Sequence, residues 1–166
     1  VILTYFCLEI QLNFMQTMVI IHSLLRWAIL LTGVWAVFRA WKGVSGKTPF
    51  TGADNKAGLF FMISFDLQLL VGLIVYFTSD VVTAARANVG EAMHSSLQRF
   101  YLVEHITMAA IAFILVHIGR AKVKKASTDA LKHKKGLIFF GIVLILVLIL
   151  TPWPFREVFR GQGWLY

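Results

Sequence analysis

Charge is scarce in this chain. Asp, Glu, Lys and Arg make up 14% of its 166 residues, against roughly 25% in ordinary globular domains, while 58% are apolar. That balance excludes an ordinary soluble enzyme. Cysteine occurs once, as Cys7, which excludes an internal disulfide and any cysteine-built metal or iron–sulfur site. Ligand chemistry is left to histidine and carboxylate. A glycine-rich phosphate loop is missing, and so is an intramembrane nucleophile–base pair, so the sequence contains no hydrolytic constellation. Any catalysis would belong to a cofactor or a partner. The period-two alternation of a membrane barrel is missing as well.

What is present is four apolar stretches, each of about 20 residues and so long enough to cross a hydrocarbon core of about 30 Å. Backbone in lipid must satisfy its own hydrogen bonds, so these are helices. The expected fold is all-α integral membrane, a four-transmembrane-helix bundle with the lipid bilayer as solvent. Its spans lie at about 17–41, 57–78, 100–119 and 136–155, in a single domain that follows an extension at residues 1–16. The extension is apolar but has neither the basic start nor the small-residue cleavage site of a secretory signal. Met15 and Met18 are both plausible translation starts.

The net charge of +8 would raise the question of nucleic acid in a soluble protein, but its placement rules that out. Arg39, Lys42, Lys47 and Lys56 surround the loop after the first span. Arg120, Lys122, Lys124, Lys125, Lys132, Lys134 and Lys135 surround the loop after the third. The other side carries Arg86, Arg99, Arg156 and Arg160. Basic loops mark the cytoplasmic face, so the expected location is a bacterial inner membrane with both termini periplasmic. The turn Pro152-Trp153-Pro154-Phe155 suits the outer interface, where indole rings sit at headgroup depth. Residues 80–98 are too polar to span and form either a short helix capping the bundle or a plain connecting loop.

The halves share a weak pattern: His22, Arg39-Ala40, Thr51 and Lys56-Ala57-Gly58 against His105, Arg120-Ala121, Thr128 and Lys135-Gly136. Both halves enter the membrane from the same side, so a duplication would relate two helix pairs by a twofold axis along the membrane normal.

Ionisable residues inside a span are expensive and mark function. Here they are His22, Arg26, Asp66, Glu104, His105 and His117. His22 and His105 lie four to five residues into their spans from the same end, a shared depth of roughly 6 to 8 Å. Two histidines at matched depth on different helices can hold a b-type haem as axial ligands. Gly33, Ala109 and Ala112 provide small surfaces on the same faces. Arg26, one turn deeper than His22, is expected to pair with Glu104, Asp66 or a cofactor carboxylate. Asp66 is protonated, paired or part of a proton path. His117 is a hydrogen bonder or, more sharply, has a quinone-site or proton-relay role, and Asp66 and Glu104 are further candidates for a proton or quinone role. His94 and His133, in loops, are expected to be solvated.

The strings HSLLRW from His22, DNKAG from Asp54, DLQLL from Asp66, RFYLVEH from Arg99, HIG from His117, TDALKHKK from Thr128 and PWPF from Pro152 resemble a family of small four-span membrane proteins of the Bacteroidota lineage commonly labelled cytochrome B. The resemblance runs from about Val19 to Trp164. It departs at His94, where a lysine is more usual. It implies the four-span architecture and, through the label, haem.

Three readings follow. The first is a haem-b-binding membrane electron-transfer protein, or a small cytochrome subunit of a larger redox complex, with other membrane subunits, redox partners or a quinone as its associates. The second is a cofactor-free accessory subunit whose polar residues are interhelical and intersubunit hydrogen bonders. The third places a chlorin on the same two histidines.

Overall fold

The computed structural model describes residues 2–160 and 163–164. Among them no strand forms, and four long helices make the bundle: α1 (Ile2–Gly46), α2 (Gly52–Thr78), α6 (His105–Lys124) and α7 (Asp129–Leu150). Three short helices, α3 (Asp80–Ala87), α4 (Val89–His94) and α5 (Ser96–Arg99), join α2 to α6. All four long elements are apolar enough to cross a membrane. The protein is an all-α membrane four-helix bundle.

α1 is longer than its expected span. No proline or glycine interrupts the chain before Gly33, so residues 2–16 continue the helix instead of forming a separate segment. Its other end stops at Lys47, whose φ of 48° is left-handed. Asp54 starts α2: its Oδ2 accepts from the Thr51 backbone N–H at 2.7 Å and from the Thr51 hydroxyl at 2.6 Å, while Oδ1 accepts from Arg39 Nε at 2.7 Å. One carboxylate thus caps a helix and ties α1 to α2.

α1 packs on α2 and α7, and α6 packs on the same two helices, which leaves α1 and α6 on a diagonal. A twofold axis along the bundle would give this order. Lipid tails are as apolar as leucine, so close packing rather than hydrophobic burial holds such helices together. Phe61, fully buried, meets Phe65 and Phe140 edge-on at 5.4 and 5.9 Å. Gly58 lets Phe140 lie on α2, and Gly119 lets Phe139 lie on α6, where an added Cβ would come closer than van der Waals contact. Leu31, Leu70 and Ile145 point outward and are well exposed, the faces that lipid covers.

Candidate functional site

The site begins with two prolines. α7 ends at Leu150, and the residues four positions after Leu148 and Leu150 are Pro152 and Pro154. Proline has no N–H to donate, so neither carbonyl can complete its helical bond. Both are taken by side chains: Trp153 Nε1 donates to Leu148 O at 2.8 Å, and His105 Nδ1 donates to Leu150 O at 3.1 Å. A carbonyl only accepts, so the His105 proton is on Nδ1 and Nε2 keeps its lone pair.

The chain just before His105 forms one turn of π-helix, Phe100–Glu104, closed by the His105 N–H on Phe100 O. The extra residue offsets the helical phase by about 100°. Leu102 is therefore buried among Val82, Ala85 and Ala92 of the short helices, while His105 projects into the bundle.

His22 comes from the diagonal helix α1. Its Nε2 lies 3.2 Å from the Gln68 amide nitrogen of α2, and its Nδ1 is buried with no hydrogen-bond partner among the described residues. The Gln68 Nε2–H donates to the ring, so the imidazole Nε2 accepts and the proton of the neutral imidazole is on Nδ1; an amide turned end for end would instead free Nδ1 as a ligand. Gly72, one turn beyond Gln68, makes room for the imidazole: a Cβ there would lie 2.9 Å from His22 Cε1. The two ring centres are 6.2 Å apart with planes at 62°. Two imidazoles sharing one metal, each bonded at about 2 Å, need about 6 Å between centres.

A cavity of about 560 Å³ opens around this pair, lined by His22, Arg26, Gln68, Gly72, Tyr76 and His105, with an apolar wall that includes Phe65, Ala109 and Val147. The volume falls in the range of cofactor and ligand pockets, about 300–1,000 Å³. Val81 and Val82 of the connecting segment also line it, so residues 80–98 do cap the bundle.

Arg26 reaches neither of the carboxylates expected for it. Glu104 is held by Arg99 at 2.8 Å, and Asp66 by His117 at 2.8 Å. The Arg26 head group is buried, donates from Nη2 to Trp164 O at 2.5 Å, and leaves Nε without a partner. A guanidinium thus lines the cavity with no acidic side chain bonded to it among the described residues.

Other expectations shift with packing. Gly33 faces Phe61 and Leu144 and serves the core, and Ala112 is buried there too, so of the three small residues only Ala109 lines the cavity. Gly72 and Gln68 also belong to the site. His94 is exposed as expected. His133 is not: it is 1% exposed, set against Phe50 and over Gly43, with both ring nitrogens unpartnered. The fifth residue after Thr128 would face solvent in a loop, but Thr128 caps α7, which begins at Asp129 and carries His133 inward. A space of about 10 Å³ beside it, near Arg39, Asp54 and Arg120, is the size of one water.

Among the described residues no three His, Cys, Asp or Glu side chains gather around one point. The His22–His105 arrangement instead offers two nitrogens and a large apolar chamber, a set suited to a group that brings its own remaining ligands. The residues fit a haem: one ring has its tautomer fixed, the other has an orphaned buried nitrogen, a glycine clears the ring, and a guanidinium lines the chamber with no acidic side chain bonded to it among the described residues. Comparison with protein-family models, with curated proteins and with solved structures found no match to this chain.

Proposed function

We propose that the chain is a haem-b-binding membrane electron-transfer protein, a small cytochrome that acts alone or as a subunit of a larger redox complex. One observation carries the reading: two histidines from diagonal helices and an arginine with no acidic partner among the described residues line the same large cavity. His22 and His105 would be the axial ligands, and Arg26 would hold a cofactor carboxylate. Bound haem supplies a one-electron carrier whose potential the axial ligands and surrounding polarity set. The protein's own work is orientation. Gln68 and the Leu150 carbonyl fix the two imidazoles, as second bonds to ligating histidines do, and the apolar wall would surround the macrocycle. The resemblance to four-span proteins labelled cytochrome B supports the same reading.

Reduced-minus-oxidised absorption spectroscopy of the purified chain, as isolated and after haem titration, tests it. A b-type spectrum at about one haem per chain is expected. A chlorin spectrum would put a different macrocycle on the same ligands, and no chromophore under either condition would leave the accessory-subunit reading.

The site lies at the end of the bundle that carries residues 80–99 and 151–160, opposite the Lys-rich loops. We place it on the periplasmic side of an inner membrane, from the excess of basic residues around Lys47 and Lys125. In intact cells, with Cys7 replaced by serine, a cysteine at Lys125 should resist a membrane-impermeant maleimide and one at Asn88 should react. The reverse pattern would invert the topology.

A further inference from the structure

A second polar centre lies on the outside of the bundle. Asp66 is in the middle of α2, 14 residues from Gly52 and 12 from Thr78, or roughly 18–21 Å from either end of the helix. His117 of α6 meets it with Nε2 2.8 Å from Asp66 Oδ1, and the side chains are 38% and 41% exposed for His117 and Asp66. Around them the surface is apolar: Ile63 and Leu70 flank Asp66 on α2, and Ile114 flanks His117 on α6, all exposed. Phe113 packs on the imidazole at 4.5 Å. In a bilayer this face looks into hydrocarbon, with Asp66 near mid-depth and His117 seven residues from the Lys124 end of α6, where an acid and an imidazole are costly and mark a task.

Acyl chains offer the pair no hydrogen bond, and phospholipid headgroups do not reach this depth. A second copy docked about a twofold axis here would bring two carboxylates and two imidazoles into one unsolvated cluster. A small molecule that dissolves in hydrocarbon and carries hydroxyl or carbonyl groups meets the requirement. We infer that the Asp66–His117 pair binds the head group of a membrane-borne quinone or quinol.

The chemistry is set by which nitrogen is already used. Nε2 faces Asp66, and Nδ1 makes no hydrogen bond among the described residues. With Asp66 ionised, Nε2–H donates to it and Nδ1 accepts from a quinol hydroxyl. With Asp66 protonated, its O–H donates to Nε2 and Nδ1–H donates to a quinone carbonyl. The two arrangements differ by one proton, so the same geometry receives either form. Asp66 and Gln68 are two residues apart and point to opposite sides of α2. The outer site and the His22 ring are therefore separated by about one helix width, some 10 Å. A role for the quinol as electron donor rests on the haem reading; its binding does not.

The test uses the full chain in phosphatidylcholine–phosphatidylglycerol nanodiscs, titrated with a short-tailed naphthoquinone whose carbonyls are carbon-13 labelled. It is run before and after haem titration, with protein-free discs as the partition control. Saturable binding near one per chain is expected in both cases, with an infrared carbonyl shift that reports the hydrogen bond. His117→Leu and Asp66→Leu should each weaken binding about tenfold or more. Partition equal to that of protein-free discs, or undiminished binding by a folded His117→Leu chain, would overturn the site. Should the variants fail to fold, an unshifted carbonyl in the wild type does the same. A dimer crosslinked across α2 and α6 that takes up no quinone would assign the face to a second copy. Quinone binding without haem binding would refute the cytochrome reading alone, and haem binding without quinone binding would refute this site alone.

Discussion

Replacing His22 by alanine should lower haem affinity by about a hundredfold or more, roughly 3 kcal/mol, while leaving the bundle folded. Replacing His105 should lower affinity by the same order and also destabilise the chain. The difference comes from what each ring does apart from ligation. Among the described residues His22 bonds to Gln68 alone, a side chain that can turn to the cavity and find water. His105 donates to Leu150 O, a carbonyl that Pro154 denies a helical partner. His105→Ala leaves that part-buried acceptor without its donor, at about 1 kcal/mol. Haem titration followed by difference spectroscopy reads the affinities, and thermal unfolding in detergent followed by circular dichroism reads the stabilities. Equal haem binding by the wild type and both variants would rule out this ligand pair, whatever the unfolding curves show.

Depth was legible in the sequence and direction was not. Counting residues from the span ends placed His22 and His105 at one level because helical rise is constant. The structure brings their rings to 6.2 Å. The four spans were legible for the same reason, since bilayer thickness sets their length. Azimuth between helices depends on packing, and here the sequence misled. Gly33 shares a face with His22 on a helical wheel, yet Phe61 fills the space beside it, and the glycine that clears His22 is Gly72 on the neighbouring helix. Arg26 had two acids within plausible reach, but each was nearer another base: Arg99, five residues before Glu104, and His117, across the α2–α6 contact from Asp66.

Other features had a signal that was present but unread. Pro152 and Pro154 mark the carbonyls of Leu148 and Leu150 as acceptors in want of a donor, which identifies the C-terminal end of α7 as the anchor of a side chain from elsewhere. Nothing comparable announces the π turn at Phe100–Glu104, whose offset reconciles the Leu102 contact with the inward His105. His133 carries no local sign of burial either, because the glycine that admits it, Gly43, is on a different helix.

Gly72→Leu should abolish haem binding without touching a ligand. A Cβ at position 72 would lie 2.9 Å from His22 Cε1 and 3.3 Å from Nδ1, too close for the ring to keep its place, and the isobutyl group would extend into the cavity that Gly72 lines. Displacement of the imidazole and loss of volume act together, so the spectral signal should fall to background. Stability should move the other way or stay level. Leucine favours a helix interior over glycine by up to about 1 kcal/mol, and the added carbons fill space next to Val19 and Val75, two apolar residues of the same wall. This opposition of signs separates a binding cavity from a packing defect: a structural role for the residue would lower the unfolding temperature, and a cofactor role removes the chromophore from a chain that unfolds no earlier. Gly33→Ala is the matched control. It meets Phe61 at 2.8 Å and should destabilise the bundle by about 1–3 kcal/mol, as overpacking does, while the folded fraction still binds haem. A Gly72→Leu chain that binds haem as the wild type does would place the cofactor outside this cavity, with His22 and His105 left as hydrogen-bonding partners of Gln68 and Leu150.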